Sequence, residues 1–346
     1  MKILFVGETW KGSSARSMME AIAQIPDIEL DEVGEDHFTP RHRAKWLRGI
    51  HRGLRVFYRA ELSREIRDAL VAFRPDILLV YKGSSVLSND IEFAKKMGIR
   101  AVNIFPDYSP LVYGDGLRRA LGVYDLVIST KVFHPAIWNT TYGYLNRCVF
   151  IPHGYDPSVH EFPFFPSSFD FDIVMVANAR PQYELILQAI AGAFPYRSVK
   201  VGVSGPGWHG LRSRFPSHWT FAGAVHGRAY SMWLRRGAIV IAPVNSDVVI
   251  AGQRQHGDED TTRTYELAAA NCFFLHYRTP FVKELYDEVA EVPMWSDFEE
   301  LNALIGKYLV EPESRRVMAM AAHARAVPAY SIPARAAEVV NYLRRL

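Results

Sequence analysis

The sequence predicts an α/β protein made of two Rossmann-like domains in tandem, each with a parallel sheet flanked by helices. Short β-branched or aliphatic runs alternate with stretches of helical periodicity along most of the 346 residues. Such alternation is typical of parallel strands joined by crossover helices. A proline-rich segment interrupts it near the middle of the chain, and the total length suits two domains of ordinary size.

The first half of the chain contains five predicted strands, which we assign to a domain at 1–155. They are KILFV at 2–6, DILLV at 76–80, RAVNIF at 100–105, DLVIS at 125–129 and RCVFI at 147–151. Helical periodicity separates them at 14–24, 42–73, 88–97 and 131–141.

Prolines at 152, 157, 163 and 166 crowd the segment between the two sets of strands. Neither a helix nor a central strand tolerates that density, so we expect a linker at 156–170. A second domain at 171–330 follows, and a last helix occupies 331–346. Its predicted strands are DIVMV at 172–176, SVKVGV at 198–203, WTFAG at 219–223, AIVIAP at 238–243 and CFFLH at 272–276.

The composition is that of a globular protein, with 49% apolar and 22% charged residues. No apolar run approaches the ~18 residues that a membrane-spanning helix needs, and the apolar run at the amino terminus is too short for a signal-peptide core. The two cysteines, Cys148 and Cys272, lie beside strand-like runs, which favours buried thiols in a reducing compartment. We therefore expect a cytoplasmic protein.

Net charge is only +3, but the basic residues are unevenly spread. Between residues 40 and 74 there are ten Arg or Lys and three Asp or Glu, so the basic character belongs to one element and does not predict nucleic-acid binding. Two interpretations of the helix at 41–59 stay open. It is either packed on the core with a solvated basic face, or a surface for anionic lipid at the inner face of the membrane or for a phosphorylated acceptor. The basic face comprises Arg41, Lys45, Arg48, Arg52, Arg55 and Arg59.

Six segments together resemble a known family. They are FRPDILLVYKG at 73–83, NIFPDYSP at 103–110, YDLVISTK at 124–131, VFIPHGYDPSVHEF at 149–162, VSGPGW at 203–208 and TTRTYELAAANCFFLHY at 261–277. In their order and spacing, the chain resembles the GT-B glycosyltransferases, and within them the CgeB-like branch related to the family 4 enzymes.

The resemblance implies that the carboxyl-terminal domain holds a nucleotide-sugar, a UDP- or GDP-sugar, and that the amino-terminal domain holds the acceptor. It also implies that the last helix, 331–346, crosses back to the first domain. Two positions depart from the family pattern, because Ala177 and Asn271 stand where glycine is usual. Asn is the next-best residue for a left-handed helix cap, so the geometry at Asn271 can survive.

In open parallel sheets, ligands bind outside the carboxyl ends of the strands. Two such edges, facing each other across the linker, are expected to form one deep cleft. In the first domain, Asp107 follows a strand and is a candidate to orient the acceptor hydroxyl or take its proton, or it is only a turn residue before Ser109-Pro110. Gly12 is a candidate to approach the donor phosphates. In the second domain, the strand ends supply Arg180, Gly205, Gly207 and Asn245.

The stretch HGDEDTTRTYE, 256–266, supplies the remaining candidates. Glu266 cannot be an ordinary capping-box partner, because position 263 is Arg rather than Ser or Thr. The resemblance assigns its two oxygens to the ribose hydroxyls, and the alternative is that the first turn of a helix favours a carboxylate in general. Arg263 and Thr262 open a helix whose amides suit a diphosphate, although an ion pair between Arg263 and the nearby acids is the alternative. Asp258, eight residues before Glu266, matches the spacing of the paired acids in the family 4 retaining enzymes, or it is a solvated loop acid.

The acidic triplet 258–260 is not expected to bind a metal, because about fifteen residues separate it from the strand ending at Pro243. No cofactor motif is present, neither a P-loop nor GxGxxG. We therefore predict a metal-independent glycosyltransferase, most simply a retaining hexosyltransferase, that moves a sugar from a nucleotide-diphosphate donor to a glycan, lipid-linked or small-molecule acceptor. Two alternatives stay open, a nucleotide-sugar epimerase on the same fold and a non-catalytic binding or coat protein.

Overall fold

The computed structural model describes residues 1–38, 45–141, 147–195, 199–250 and 252–346. The chain separates into two compact units. The first unit comprises Met1–His153, Val248–His256 and Ile332–Leu346, and the second comprises Gly154–Asp247 and Gly257–Ser331.

The first unit is built on a six-stranded parallel sheet in the order β2-β1-β3-β4-β5-β6. The central strands are almost continuously buried, as expected where helices cover both faces of a sheet. Its elements are β1 (Lys2–Gly7), α1 (Ser14–Ala23), β2 (Glu29–Gly34), α2 (Lys45–Phe73), β3 (Ile77–Tyr81), α3 (Ser88–Lys96), β4 (Arg100–Phe105), α4 (Asp115–Leu121), β5 (Leu126–Ser129), α5 (His134–Thr141) and β6 (Cys148–Phe150).

The second unit has its own six-stranded parallel sheet, in the order β14-β13-β10-β7-β8-β9. The remaining strands and helices of the chain, most of them in this second unit, are α6 (Pro157–His160), β7 (Phe171–Val176), α7 (Pro181–Ala193), β8 (Val201–Ser204), β9 (Thr220–Ala222), α8 (Arg228–Leu234), β10 (Gly237–Ala242), β11 (Asp247–Ile250), β12 (Gln253–His256), α9 (Thr262–Ala269), β13 (Phe274–Tyr277), α10 (Pro280–Leu285), β14 (Met294–Trp295), α11 (Phe298–Leu309), α12 (Pro312–Ala326) and α13 (Ile332–Leu343).

Helix α13 packs on the sheet of the first unit. Alternate residues of β1 face opposite sides, so Leu4 and Val6 join one core while Ile3 and Phe5 join another. Helix α2 contributes Leu62, Ile66 and Leu70 to the first of these cores. The other core is closed by α1 together with α13, through Val339, Val340 and Leu343 among others. The predicted α/β architecture and the return of the last helix are therefore both present.

The proline-rich segment is not irregular throughout, which corrects the prediction for 156–170. Pro157 begins the single helical turn α6, and Asp156 caps that turn by accepting a hydrogen bond from the Ser158 N–H at 2.9 Å. Proline suits the first position of a helix because its missing N–H would have no partner there. The sequence reasoning also missed the strands β2 and β14 and the pair β11–β12.

Helix α9 ends as the sequence predicts. Asn271 adopts the left-handed conformation with φ of 53°, in place of the glycine usual at this position. The N–H of Asn271 donates to Ala268 O at 3.0 Å, and the N–H of Cys272 donates to Leu267 O at 3.1 Å. These two bonds form a Schellman motif, which satisfies carbonyls at the end of the helix.

The basic face predicted on the helix at 41–59 lies largely outside the described residues, because Arg41 and the side chains of Lys45, Arg48, Arg52 and Arg55 are not among them. The described Arg59 donates to Ser84 O at 2.9 Å. Within the described ranges, no helix is both long enough and apolar enough to cross a membrane. Cys148 and Cys272 are free and buried, as predicted, and burial raises the pKa of each thiol to about 12.

Candidate functional site

A cavity of about 330 Å³ opens at the carboxyl ends of the central strands of the second unit. The turns after β7, β8 and β10 meet there with the start of α9, as expected for a ligand site on a parallel sheet. Five of the residues selected from the sequence line this cavity together: Arg180, Gly205, Asn245, Asp258 and Arg263.

Gly205 allows two of these turns to approach each other closely. Its φ is +142°, and a Cβ at this position would stand 2.0 Å from the carbonyl oxygen of Ala177. The same carbonyl accepts a hydrogen bond from the indole N–H of the buried Trp208 at 2.6 Å. The backbone contact between the β7 and β8 turns therefore requires glycine at position 205.

The start of α9 presents polar groups that lack partners. Helix α9 begins after its N-cap residue Thr261, and the N–H groups of a first helical turn have no partner within their own helix. Arg263 Nη2 donates to Pro243 O at 3.3 Å, whereas Arg263 Nε and Thr261 Oγ1 are buried with no hydrogen-bond partner in the described part of the chain. Buried polar groups are nearly always paired in native proteins, so this arrangement suits a bound anion that would pair them.

A buried relay holds this helix start in place. The N–H of Thr261 donates to Thr264 Oγ1 at 3.1 Å, and the Thr264 hydroxyl lies 2.8 Å from His276 Nε2. His276 Nδ1 lies 2.7 Å from the carbonyl of Tyr277, which can only accept, so Nδ1 carries the proton and Nε2 accepts from Thr264. Burial lowers the pKa of His276 to about 4, and the ring stays neutral at ordinary pH.

Glu266 lies behind Tyr230, which lines the cavity. The Tyr230 hydroxyl donates to Glu266 Oε2 at 2.7 Å, and His160 Nε2 lies 3.7 Å from Oε1. The side chain of Glu266 is 12% exposed and is not among the residues that line the cavity. Burial, and after it the charge of Glu266, raises the pKa of Tyr230 well above its usual value, so the hydroxyl stays a donor.

Three further candidates lie elsewhere. Thr262 is the first residue of α9, and Gly207 stands in the left-handed conformation after β8, but neither lines the cavity. Gly12 belongs to the first unit, in the turn between β1 and α1, with φ of +100°.

Asp107 also belongs to the first unit, where it follows β4. Its Oδ2 accepts a hydrogen bond from the Tyr113 hydroxyl at 2.7 Å and lies 3.4 Å from Lys82 Nζ. The ammonium of Lys82 also lies 4.4 Å from the centre of the Tyr113 ring. Burial raises the pKa of Tyr113, and the charge of Asp107 raises it further, so the phenol stays protonated. Asp107 is thus held by two partners, Tyr113 and Lys82.

Sequence reasoning did not select Tyr230 and Thr261, which line the cavity, or Lys82 and Tyr113, which contact Asp107. Lys82 and Thr261 had a usable signal, because each stands at a strand end or helix start that the pattern had located. Tyr230 lies within a helix, and nothing in the sequence shows that this helix brings it to Glu266. Among the described residues, no group of three or more His, Cys, Asp or Glu is placed to hold a metal ion.

The chain is similar to known proteins both in sequence and in fold. Residues 180–341 match the family model described as "Glycosyl transferase-like". A search of curated protein sequences found no match.

Solved structures share the fold over nearly the whole chain. HepE from Anabaena in complex with UDP-glucose is 14% identical with a TM-score of 0.69, covering 100% of both chains. Sucrose-phosphate synthase from Thermosynechococcus elongatus is 11% identical with a TM-score of 0.68, covering 99% of this chain and 98% of its own. A trehalose-6-phosphate synthase studied for glycosyl transfer with retention is 11% identical with a TM-score of 0.63, covering 99% of each chain. The chain therefore has the GT-B fold.

Proposed function

We propose that this protein is a glycosyltransferase that moves a sugar from a nucleoside-diphosphate donor to a hydroxyl-bearing acceptor. The observation that carries the proposal is the cavity at the start of α9, where the buried Arg263 Nε and Thr261 Oγ1 have no partner in the described structure. The match of residues 180–341 to a glycosyl transferase-like family model supports it. HepE, which has this fold, is described in complex with UDP-glucose, and this favours a UDP-sugar over a GDP-sugar.

The diphosphate of the donor would lie at the start of α9. Arg263 and the amides of Thr262 and its neighbours would bind the phosphate oxygens there, and Arg180, which lines the same cavity, would add a second cation. The α7 helix also begins at this cavity, with Arg180 as its N-cap residue. Gly205 and Gly207 would let the nucleoside approach the backbone, and Asn245 would contact the donor. Gly12 stays a candidate for phosphate contact from the first unit.

Glu266 would accept the ribose hydroxyls. Its Oε2 already receives the Tyr230 hydroxyl, so a bound ribose either shares this oxygen or displaces Tyr230 from it. Tyr230 therefore acts as the partner that keeps the carboxylate oriented before the donor binds.

Asp258 would contact the donor sugar. It lines the cavity, and its N–H donates to Asn245 O at 2.9 Å, which ties the acidic loop to the turn after β10. Its spacing from Glu266 is that of the paired acids in the family 4 retaining enzymes, and this supports a retaining reaction. The CgeB-like affiliation stays a prediction from the sequence.

The reaction would need no metal ion and no cofactor, because Arg263, Arg180 and helix amides can stabilise the charge that develops on the leaving diphosphate. Release of UDP should continue in excess chelator. Activity that disappears with chelator and returns with manganese would contradict this.

The acceptor would be a glycan, a lipid-linked compound or a small molecule bound in the first unit near Asp107. We place the protein in the cytoplasm, with peripheral contact to anionic membrane through the basic segment 41–59. Flotation with anionic vesicles should then exceed that with neutral vesicles and weaken steeply with salt. Equal binding to both kinds of vesicle would contradict the membrane contact.

The proposal is tested by calorimetry with UDP and UDP-glucose on wild type, Arg263→Gln and Arg212→Gln. A charge-assisted hydrogen bond contributes about 1.5–3 kcal/mol, so Arg263→Gln should weaken UDP binding by about 10- to 150-fold. Arg212 is exposed on the turn after β8 and does not line the cavity, so its variant should bind as wild type does.

A second measurement separates the classes of function. Release of UDP together with formation of a glycosylated product supports a transferase. Conversion of the nucleotide-sugar to an epimer without net release of UDP would show an epimerase instead. Binding with no turnover of any nucleotide-sugar tested would show a non-catalytic protein, and equal UDP affinity in wild type and Arg263→Gln would remove Arg263 from the site.

A further inference from the structure

The carboxyl edge of the first sheet carries a group of three side chains outside the donor cavity. Asp107 follows β4, Lys82 follows the adjacent strand β3, and Tyr113 lies in the short 3-10 helix after Asp107. Both partners of Asp107 use the same oxygen, Oδ2, at 2.7 Å from the Tyr113 hydroxyl and 3.4 Å from Lys82 Nζ. Oδ1 accepts from no partner in the part of the chain that the structure describes, and the Asp107 side chain is 33% exposed, so this oxygen is available to a ligand.

Lys82 holds an unusual backbone conformation. Its φ is +65°, in the left-handed region that favours glycine and asparagine and is costly for a lysine. Its N–H donates to Ile104 O at 2.7 Å, and its carbonyl accepts from Asn103 Nδ2 at 3.3 Å, so β4 fixes the backbone on both sides. Costly backbone conformations persist at functional sites where the side chain is needed in one place.

A second carboxylate and a second aromatic ring stand at the neighbouring strand. Trp10 Nε1 donates to Glu8 Oε2 at 3.0 Å in the turn after β1, which pairs with β3. The pKa of Tyr113 is raised first by burial, then by the charge of Asp107, and least by the charge of Glu8. Carboxylates beside aromatic rings suit a ligand with hydroxyl groups and an apolar ring face.

We propose that Lys82 is a positioning residue which, together with Tyr113, holds Asp107 by Oδ2 so that Oδ1 accepts a hydrogen bond from the acceptor hydroxyl. This rests on the proposed glycosyl transfer. Asp107 touches the acceptor, whereas Lys82 acts through Asp107. The left-handed backbone at Lys82 aims the ammonium at Oδ2, and glycine would suit that backbone better but would leave Asp107 with one partner.

The experiment uses the full chain, with water as the acceptor, UDP-glucose as the donor and release of UDP as the signal. Lys82→Gly removes the energetic cost of the left-handed backbone at this position and also removes the ammonium. It should unfold at the same temperature as wild type or higher and bind UDP within about twofold, yet release UDP about 10- to 100-fold more slowly, because a misplaced catalytic group costs about that much. Lys82→Arg keeps a cation and should restore most of the rate.

Two further variants separate positioning from structure. Asp107→Asn should slow UDP release at least as much as Lys82→Gly, and the double variant should be no slower than Asp107→Asn alone, since Lys82 acts only through Asp107. Lys95→Ala removes a similar ion pair in the same unit, between Lys95 Nζ and Asp125 Oδ1 at 2.9 Å, and should leave the rate unchanged.

Several outcomes would overturn the inference. The inference is wrong if Lys82→Gly releases UDP at the wild-type rate, if it loses UDP affinity in step with its rate, or if it slows the Asp107→Asn variant further. Failure of the proposed function gives a different result from failure of this inference. In that case the wild-type protein itself would bind UDP-glucose without releasing UDP, and the inference would be wrong as well.

Discussion

The hydroxyl of Tyr230 donates a hydrogen bond to Glu266 Oε2 at 2.7 Å, and this contact joins a residue that lines the cavity to a carboxylate that is 12% exposed. The sequence alone excludes a capping-box role for Glu266 and does not indicate another partner within the protein. In the structure it has one, and this changes what its replacement is expected to do.

Glu266→Ala should weaken UDP binding by about 2–4 kcal/mol, tens- to several-hundred-fold, if the carboxylate accepts two ribose hydroxyls. It should also destabilise the fold by about 1–3 kcal/mol, because the Tyr230 hydroxyl loses its acceptor. Glu266→Gln keeps an oxygen for Tyr230 and should unfold close to wild type while still binding UDP less tightly. Calorimetry and chemical denaturation measure the two effects.

The matched control for this prediction is Glu284→Ala, an exposed glutamate on α10. It should change neither quantity. If Glu266→Ala unfolds earlier yet binds UDP as well as wild type does, Glu266 is structural and the ribose assignment is wrong.

Gly205→Ala should destabilise the second unit and abolish nucleotide binding. The new Cβ would meet Ala177 O at 2.0 Å in a backbone conformation that disfavours side chains, so we expect a loss of at least about 2 kcal/mol. Gly210→Ala is the control, because no atom lies within 4 Å of its Cβ position. Thermal unfolding of the two variants checks the prediction, and equal unfolding temperatures would contradict it.

Stability should fall as the pH drops from about 6.5 towards 4. Burial lowers the pKa of His276 to about 4 and that of His134 to about 3, while both rings have ordinary values in the unfolded chain. The unfolded state therefore binds more protons in this window, so unfolding becomes easier by about 1.4 kcal/mol per group and pH unit. Above pH 7 neither group should change the stability.

Denaturant titrations from pH 7.5 to 4.5 measure this dependence. His134 provides the same type of neutral relay in the first unit, since its ring lies 2.6 Å from Ser129 Oγ and 2.9 Å from Tyr108 O. A His276→Asn variant should lose part of the slope. A free energy of unfolding that stays flat across this range would show that neither ring is held neutral.

Asn271→Gly should be neutral or stabilising, by up to about 1 kcal/mol. The residue has φ of 53°, which glycine adopts more easily, and the buried Asn271 Oδ1 has no partner among the described residues, so its removal costs nothing. Asn271→Ala lacks that backbone freedom and should be the less stable of the two variants. The order of the two unfolding temperatures tests the prediction, and the reverse order would contradict it.

The amino-acid sequence by itself determined the features that depend on short stretches of chain. Alternating apolar runs located most strands of both sheets because side-chain periodicity and chain breaks are local properties. The left-handed end of α9 at Asn271 and the strand-end positions of Asp107, Arg180 and Gly205 follow from neighbours in the sequence. Parallel sheets gather their strand ends at one edge, and therefore five predicted residues meet in one cavity.

Only the tertiary structure decided which side chains meet across the fold. Tyr230 and Glu266 are 36 residues apart, and Lys82 and Asp107 are joined only because β3 and β4 are neighbours in the sheet. The helical turn at Pro157 was missed because the same proline that breaks a helix interior can begin one. Contacts between distant residues depend on how separate elements pack, which local periodicity does not encode. Strand ends and helix caps, in contrast, depend directly on the local sequence.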